Sequence, residues 1–301
     1  MKTVVVTGAS GFLGRHWVPF LEARGVRVVP FRRGAPDMSD AGALDGALRA
    51  ANPDVVFHLA GVSQAQDLSA YYQVNAVLAA NVFASMDRTG LADRLVVLMG
   101  TSAEYGPAAG DAASAPLDED APCRPQSHYG ISKLAQTLMG QAMARAGRRV
   151  LVVRPSNLIG PGMPEHMAVQ QFAEQIQRAA RGGPRTIATG DLSVVRDFID
   201  VDDVCVRLWA LCQADVPSGE IVNVASGRGV AMREVVDRLV ALAGGGIEIR
   251  TDPARLRAND LRAHVSSTAK LERLVHPPPP TPLDDTLRRV LASQPDTIAR
   301  R

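Results

Sequence analysis

The sequence predicts an α/β protein: a doubly wound parallel sheet followed by a smaller C-terminal lobe. Three observations predict it. Short β-branched runs alternate with helical stretches through the first half, a glycine-rich turn sits at the first strand-to-helix junction, and the composition changes after Pro155. In order, "TVVVTG" is strand, "GRHWVPFLEARG" helix, "VRVVPF" strand, "AGALDGALRAAN" helix and "DVVFHLAG" strand. Near-continuous apolar runs of this kind belong to parallel strands covered on both faces. A helix near 72–89, the strand "RLVVLMG", a helix from about 129 to 146 and the strand "RRVLVVRPS" continue the rhythm. A helix near 167–181 comes next, then the strand-like "RDFIDVDDV", which is expected to rejoin the sheet. "HPPPPTP" at 276–282 can be neither helix nor inner strand, and reads as an extended spacer before a terminal helix at 283–292. The expected division is residues 1–155, with 186–210 returning to the sheet, and a lobe of 156–185 and 211–301.

With 301 residues, 46% of them hydrophobic, the chain can bury a full core. Lys plus Arg number 33 against 31 Asp plus Glu, a formal charge of +2, so any anionic ligand must be met by a local site. A nucleic-acid surface is not expected: there is no basic stripe, and aromatics make up only 4% of residues. Nowhere do about 18 apolar residues run uninterrupted, and "MKTVVVTGAS" begins a strand at once, so neither a membrane span nor a signal peptide is expected. Cys123, Cys205 and Cys212 lack paired spacing, which reads as reduced thiols in the cytoplasm and not as a disulfide or metal framework.

"TVVVTGASGFLGRH" sets Gly8, Gly11 and Gly14 at the junction of the first strand and helix. Glycines there allow a tight turn and let backbone N–H groups, including those of Phe12 and Leu13, and the helix N-terminus meet a diphosphate. The competing reading is that they merely let helix and sheet pack. Where an NAD site places an acid for the ribose 2′-hydroxyl, after the second strand, this chain has Arg32 and then Arg33. Guanidinium groups suit a 2′-phosphate, so NADPH is the expected cofactor and NAD the second choice. Two solvated loop arginines would read the same.

"HYGISK" carries Tyr129 and Lys133 four apart, hence on one face of a helix. An ammonium there can lower a phenol's pKa and make it a usable proton donor or acceptor. With the GxxGxxG turn, "HLAG" after the third strand and a Ser/Thr after the fourth, the chain resembles the extended short-chain dehydrogenase/reductase family. The resemblance implies a Rossmann-like fold, a catalytic set of Thr101, Tyr129 and Lys133, and Lys133 as the group that orients the cofactor ribose and keeps Tyr129 acidic. It also implies cofactor contacts from Leu59 and Ala60 of "HLAG", an adenine contact from Asp37, and Asn75 as a support for the lysine. A turn residue would look the same as that Asp37. In "TSAEYG", Tyr105 is then a packing or substrate-lining residue, and Ser102 and Glu104 are candidates to line the substrate. Nucleotide-sugar dehydratases of the family carry acids at the two positions after the catalytic Ser/Thr. Here these are Ser102 and Ala103, with Glu104 one step late and on the opposite face of an extended exit, so dehydration is disfavoured.

The later motifs resemble those of nucleotide-sugar enzymes. "VVRPSNLIGPG" would bring Asn157 near a substrate diphosphate, and "VVRDFIDVDDV" would make Arg196 its clamp. A buried Arg–Asp pair with Asp197 is the structural reading of Arg196, and both can hold. "DPARLRANDLRAHVSSTAKL" is similar to a segment of GDP-sugar reductases, which makes Arg257 and Asp260 candidates for nucleotide contacts; a salt-bridged surface loop reads equally well. The usual GWxP segment is replaced by "LVHPPPPTP", and the small residues of the fourth helix by "LAANVF". The resemblance thus implies NADPH-dependent reduction of the C4 keto group of a nucleotide-diphosphate 4-keto-6-deoxy sugar, most like GDP-4-keto-6-deoxy-mannose. The alternatives are an NAD-dependent nucleotide-sugar epimerase using the same residues and, further off, a non-catalytic NADP-sensing protein. By the same analogy, the helices at 72–89 and 129–146 would form a homodimer.

Overall fold

The computed structural model describes residues 1–107, 115–256 and 262–293. In chain order its strands are β1 (Thr3–Thr7), β2 (Arg27–Phe31), β3 (Val55–His58), β4 (Leu95–Met99), β5 (Val150–Pro155), β6 (Asn157–Ile159), β7 (Thr186–Thr189), β8 (Val195–Asp200), β9 (Ile221–Val224), β10 (Gly229–Ala231), β11 (Glu248–Thr251) and β12 (Ala263–His264). The helices are α1 (Phe12–Glu22), α2 (Ala41–Ala51), α3 (Leu68–Tyr72), α4 (Leu78–Arg88), α5 (His128–Arg145), α6 (Ala168–Ala180), α7 (Val201–Gln213), α8 (Met232–Leu242), α9 (Ala269–Val275) and α10 (Leu283–Ala292). A π-helical turn, Gln73–Val77, joins α3 to α4, so the expected 72–89 helix starts earlier, at Leu68, and is locally widened by i→i+5 hydrogen bonds.

Six strands form one all-parallel sheet in the order β2-β1-β3-β4-β5-β9, the doubly wound sheet that the alternating runs predict. Side-chain alternation feeds two layers. Val4 and Val6 of β1 pack with Trp17 and Leu21 of α1 and with Leu208 of α7, whereas Val5 packs in the layer of Leu44 and Leu48 of α2 and Phe83 of α4. The chain leaves β1 toward β2 on one side and β3 on the other. That reversal of winding opens a crevice at the strands' carboxyl ends, where ligands bind in open α/β sheets.

A third core holds Phe172 and Ile176 of α6, Val235 and Leu239 of α8, and Leu287 and Val290 of α10, and defines the smaller lobe. Its hub is β8, which pairs with β10, β12 and β6. This corrects the expectation that "RDFIDVDDV" rejoins the main sheet: the sixth strand there is β9. All four β9 residues are buried, as a strand covered on both faces requires, whereas β8 is only partly buried over its first half. Helix α7 crosses the sheet with Val204, Leu208 and Leu211 inward, and only then does the chain enter beside β5. The first domain therefore takes β9, and also Leu271 of α9, from the stretch assigned to the lobe.

The proline run is extended, as expected. Arg207 of α7 donates to the Pro278 carbonyl at 3.3 Å, and Asp203 accepts from the Thr281 N–H and hydroxyl at 2.7 and 2.9 Å. Among the described residues no helix is long and apolar enough to cross a membrane, and no group of three His, Cys, Asp or Glu residues is placed to hold a metal.

Candidate active site

The crevice begins at the glycine turn. Gly8 has φ +67°, and a Cβ there would stand 2.7 Å from the Ala60 nitrogen, while one on Gly14 would overlap the Gly8 carbonyl. Gly11 N–H closes the turn onto the Gly8 carbonyl at 2.9 Å. Helix α1 then starts without any side-chain cap, which leaves its first N–H groups for an anion. Leu13 is buried in the core and Phe12 partly so, hence both present backbone and not side chain to a ligand. These features fit a dinucleotide diphosphate: the cradle exists because two glycines lack Cβ atoms. Leu59 and Ala60 leave β3 directly opposite, with the Ala60 N–H donating to Thr7 Oγ1 at 3.2 Å. The same hydroxyl meets His58 Nδ1 at 3.0 Å. His58 is fully buried, and burial with the nearby Lys133 charge pushes its pKa down to about 3, so it is neutral. Sequence reasoning noticed "HLAG" but not this histidine.

Arg32 and Arg33 stand exposed on the turn after β2, closed by reciprocal Arg32–Ala35 backbone bonds of 3.0 Å. Asp37 follows on the same exposed loop. Its Oδ1 accepts from the Ser39 N–H at 2.9 Å and hydroxyl at 2.6 Å, which hold its pKa below the usual range. Asp37 thus caps its own turn, the turn-residue reading that the sequence also allowed.

Thr101 follows β4 and starts a 3₁₀ turn, Ser102–Glu104, as its N-cap. Ser127 caps α5 by accepting from the Gly130 N–H at 3.1 Å. Gly130 lets α5 press onto that turn, since a Cβ there would stand 2.6 Å from the Ala103 carbonyl. Tyr129 is thereby set facing Thr101, whose hydroxyl draws its pKa down. Burial raises the Tyr129 pKa above 10, the Thr101 bond draws it down, and the Glu104 charge raises it further. One turn on, Lys133 is 3% exposed, and its Nζ donates to the Met99 carbonyl at 2.8 Å and to Gln136 Oε1 at 3.1 Å. Burial brings its pKa down to about 8, against an upward pull from Glu104. The ammonium faces the end of β4, and Thr101 is the neighbour that draws the Tyr129 pKa down.

Asn75 lies in the π-helical turn, fully buried. It accepts from the Val62 N–H at 2.8 Å and donates to Ser132 Oγ at 2.9 Å, tying the loop after β3 to α5. Ser102 is buried in the 3₁₀ turn. Glu104, expected to line the substrate, is fully buried, with its oxygens on the Thr101 N–H and Arg154 Nε, each at 2.8 Å. It faces the protein because, at the end of the 3₁₀ turn, it closes a capping box onto the Thr101 N–H and pairs with Arg154, which removes it from the substrate set. Tyr105 is a packing residue: 1% exposed, donating to Asn223 Oδ1 at 2.7 Å, with burial pushing its pKa up to about 12.

On the lobe side, Asn157 donates to the Asp197 carbonyl at 3.0 Å. Arg196 sits on β8 in register with His264 of β12, and its charge adds to burial in lowering the His264 pKa to about 4. Asp197 takes the other face of the strand and accepts from Ser156 and Ser226 hydroxyls at 3.1 and 2.7 Å and from the Gly227 N–H at 3.1 Å. Asp197 takes these donors from the segments leading into β6 and β10. Arg257 and Asp260 lie outside the described residues.

Three comparisons bear on this arrangement. The sequence profile of the NAD dependent epimerase/dehydratase family matches residues 4–225. The chain is 33% identical to a GDP-6-deoxy-D-mannose reductase of Pseudomonas aeruginosa, over 97% of this chain and 96% of that protein. The fold is similar to the structure of RMD from Pseudomonas aeruginosa complexed with NADPH, with a TM-score of 0.87 at 28% identity over 97% and 98% of the two chains. It is also similar to a UDP-glucose 4-epimerase of Thermus thermophilus in complex with NAD, with a TM-score of 0.82 at 28% identity over 97% and 98%. Profile, sequence and fold agree with the glycine turn and the Thr101, Tyr129 and Lys133 cluster that the chain belongs to the NAD dependent epimerase/dehydratase family, of the extended short-chain dehydrogenase/reductase type.

Proposed function

We propose that the protein is an NADPH-dependent reductase of a nucleotide-bound 4-keto-6-deoxy sugar, with GDP-4-keto-6-deoxy-mannose the first substrate to try. The observation that carries it is Tyr129 facing Thr101 on α5, beside a glycine cradle, with arginines and not an acid on the turn after β2. NADPH is held by the α1 N-terminus and by Arg32 and Arg33, which suit its 2′-phosphate. Bound there, the reduced nicotinamide supplies the hydride. Tyr129 gives the sugar oxygen its proton, Thr101 orients that oxygen, and Lys133 serves the cofactor ribose. Asn157, Arg196 and the lobe hold the diphosphate and nucleotide. Exposed apolar Val77, Ile131 and Leu138 on the π-helical turn and α5 support a homodimer through those helices, tested by light scattering on Leu138→Glu. Three unbridged cysteines support a cytoplasmic location, tested by cell fractionation.

The test mixes purified protein with NADPH and a panel of nucleotide 4-keto-6-deoxy sugars made in place, following loss of reduced-nicotinamide absorbance. Consumption with the GDP form supports the reading. No consumption with any of them, together with NAD released on denaturation, replaces it with an epimerase.

A further inference from the structure

Under the Thr101 turn lies an ion pair that the proposed reaction leaves unused. Glu104 is fully buried and Arg154 is 2% exposed. The carboxylate takes Arg154 Nε on one oxygen and the N–H of Thr101 on the other, each at 2.8 Å, and so closes a capping box around the turn. Gly100 is shaped to it: a Cβ there would stand 2.5 Å from Glu104 Oε1 and 3.3 Å from the Val153 carbonyl. Arg154 is itself fixed, lying over the Tyr105 ring at 4.7 Å and donating to Cys123 Sγ at 3.3 Å.

As a stabilising device such a pair roughly breaks even, because desolvating two charges offsets their attraction. Its position is more informative. The hydrogen bonds of Lys133 go to neutral acceptors, Met99 O and Gln136 Oε1. The titratable groups around that ammonium are His58 at the end of β3, Tyr129 one turn back on α5 and Glu104 on the turn. His58 is neutral and Tyr129 protonated, and the anion among them is the carboxylate of the Glu104–Arg154 ion pair.

We propose that Glu104, held by Arg154, is a positioning residue of this site: through the Thr101 backbone it fixes the Thr101 hydroxyl against Tyr129. The same carboxylate pulls the Lys133 pKa upward against the effect of burial. The kinetic consequence rests on the reductase reading; the charge consequence does not.

The experiment compares wild type, Glu104→Gln and Glu104→Gln/Arg154→Met. The double variant removes both buried charges and restores folding if the single one leaves Arg154 uncompensated. Expected for both is a kcat roughly 10- to 100-fold lower with KM within about threefold, the signature of a displaced catalytic group. The limb of the kcat profile belonging to Lys133 should also move about one pH unit lower. Independently of turnover, melting temperature is followed from pH 7 to 10.5 in each protein and again with Lys133→Met. The rise in stability that accompanies Lys133 deprotonation should start at lower pH in the Glu104 variants, and the difference should vanish with Lys133→Met. Variants that melt lower but keep both the kcat profile and the pH dependence of melting unshifted would overturn the proposal. If wild type consumes no NADPH, the functional reading fails, and the melting comparison alone decides the role of Glu104.

Discussion

Tyr129 carries its proton at neutral pH, because burial raises its pKa above that of a free phenol, so it enters the reaction as an acid. Removing the hydroxyl with Tyr129→Phe should lower kcat by roughly 10²- to 10⁴-fold, the usual worth of a positioned proton donor, with NADPH affinity by fluorescence titration unchanged. On the proposed reading, Arg32 and Arg33 would meet the cofactor's distinguishing phosphate and no reacting atom. Arg32→Ala/Arg33→Ala should raise KM for NADPH roughly 10-fold and leave KM for NADH within about twofold, read from initial rates with each cofactor. Tyr129 and Lys133 were legible because four residues on a helix return to one face. Glu104 was not, since its partner Arg154 lies 50 positions away and only the fold brings the two together.

Elements, and not single residues, set the local dielectric. Strand β3 delivers His58 and α5 delivers Lys133 into a region with little water, and both charged forms are disfavoured there. Each folded-state pKa lies below its unfolded value, so each group's contribution is full above the unfolded pKa and is lost as pH falls through the folded one. For Lys133 that window runs from 10.5 down to about 8, and for His58 from 6.5 down to about 3. The slope of melting temperature against pH should therefore be more positive between about pH 8 and 10.5 in wild type than in Lys133→Met, as calorimetry across pH would show. The helices themselves were legible: 129–146 expected against His128–Arg145, and 283–292 against Leu283–Ala292. The π-helical turn was not, because nothing in "QVNAV" marks it; Asn75 reaches both Val62 and Ser132 from that turn.

At the scale of the molecule, α1 is tied to the segment after β6 by Arg15, which donates to the Gly162 carbonyl at 2.7 Å, and by the imidazole of His16. His16 Nδ1 meets Asp202 Oδ1 at 2.9 Å and Nε2 meets the Pro161 carbonyl at 3.0 Å. Only an imidazolium donates at both nitrogens. Arg289 of α10 binds the same Asp202 and also Asp200, so α1, α7 and α10 meet in one network. Its pKa is raised by the Asp202 bond, so the stability it contributes is full below pH 6.5 and lost as pH rises through the raised value. Asp202→Asn should abolish that loss, seen as a flatter melting profile across pH 6 to 8. The sequence by itself determined the parallel sheet, the glycine cradle and the Tyr129–Lys133 face, because each is a matter of local periodicity, turn geometry or short spacing. Only the tertiary structure decided that β9 and not β8 completes the sheet, that Asp197 serves the second sheet's serines, and that Glu104 turns inward to Arg154. Those outcomes depend on which apolar faces find cover and which buried charges find partners, and such pairings are made across tens to hundreds of residues of chain.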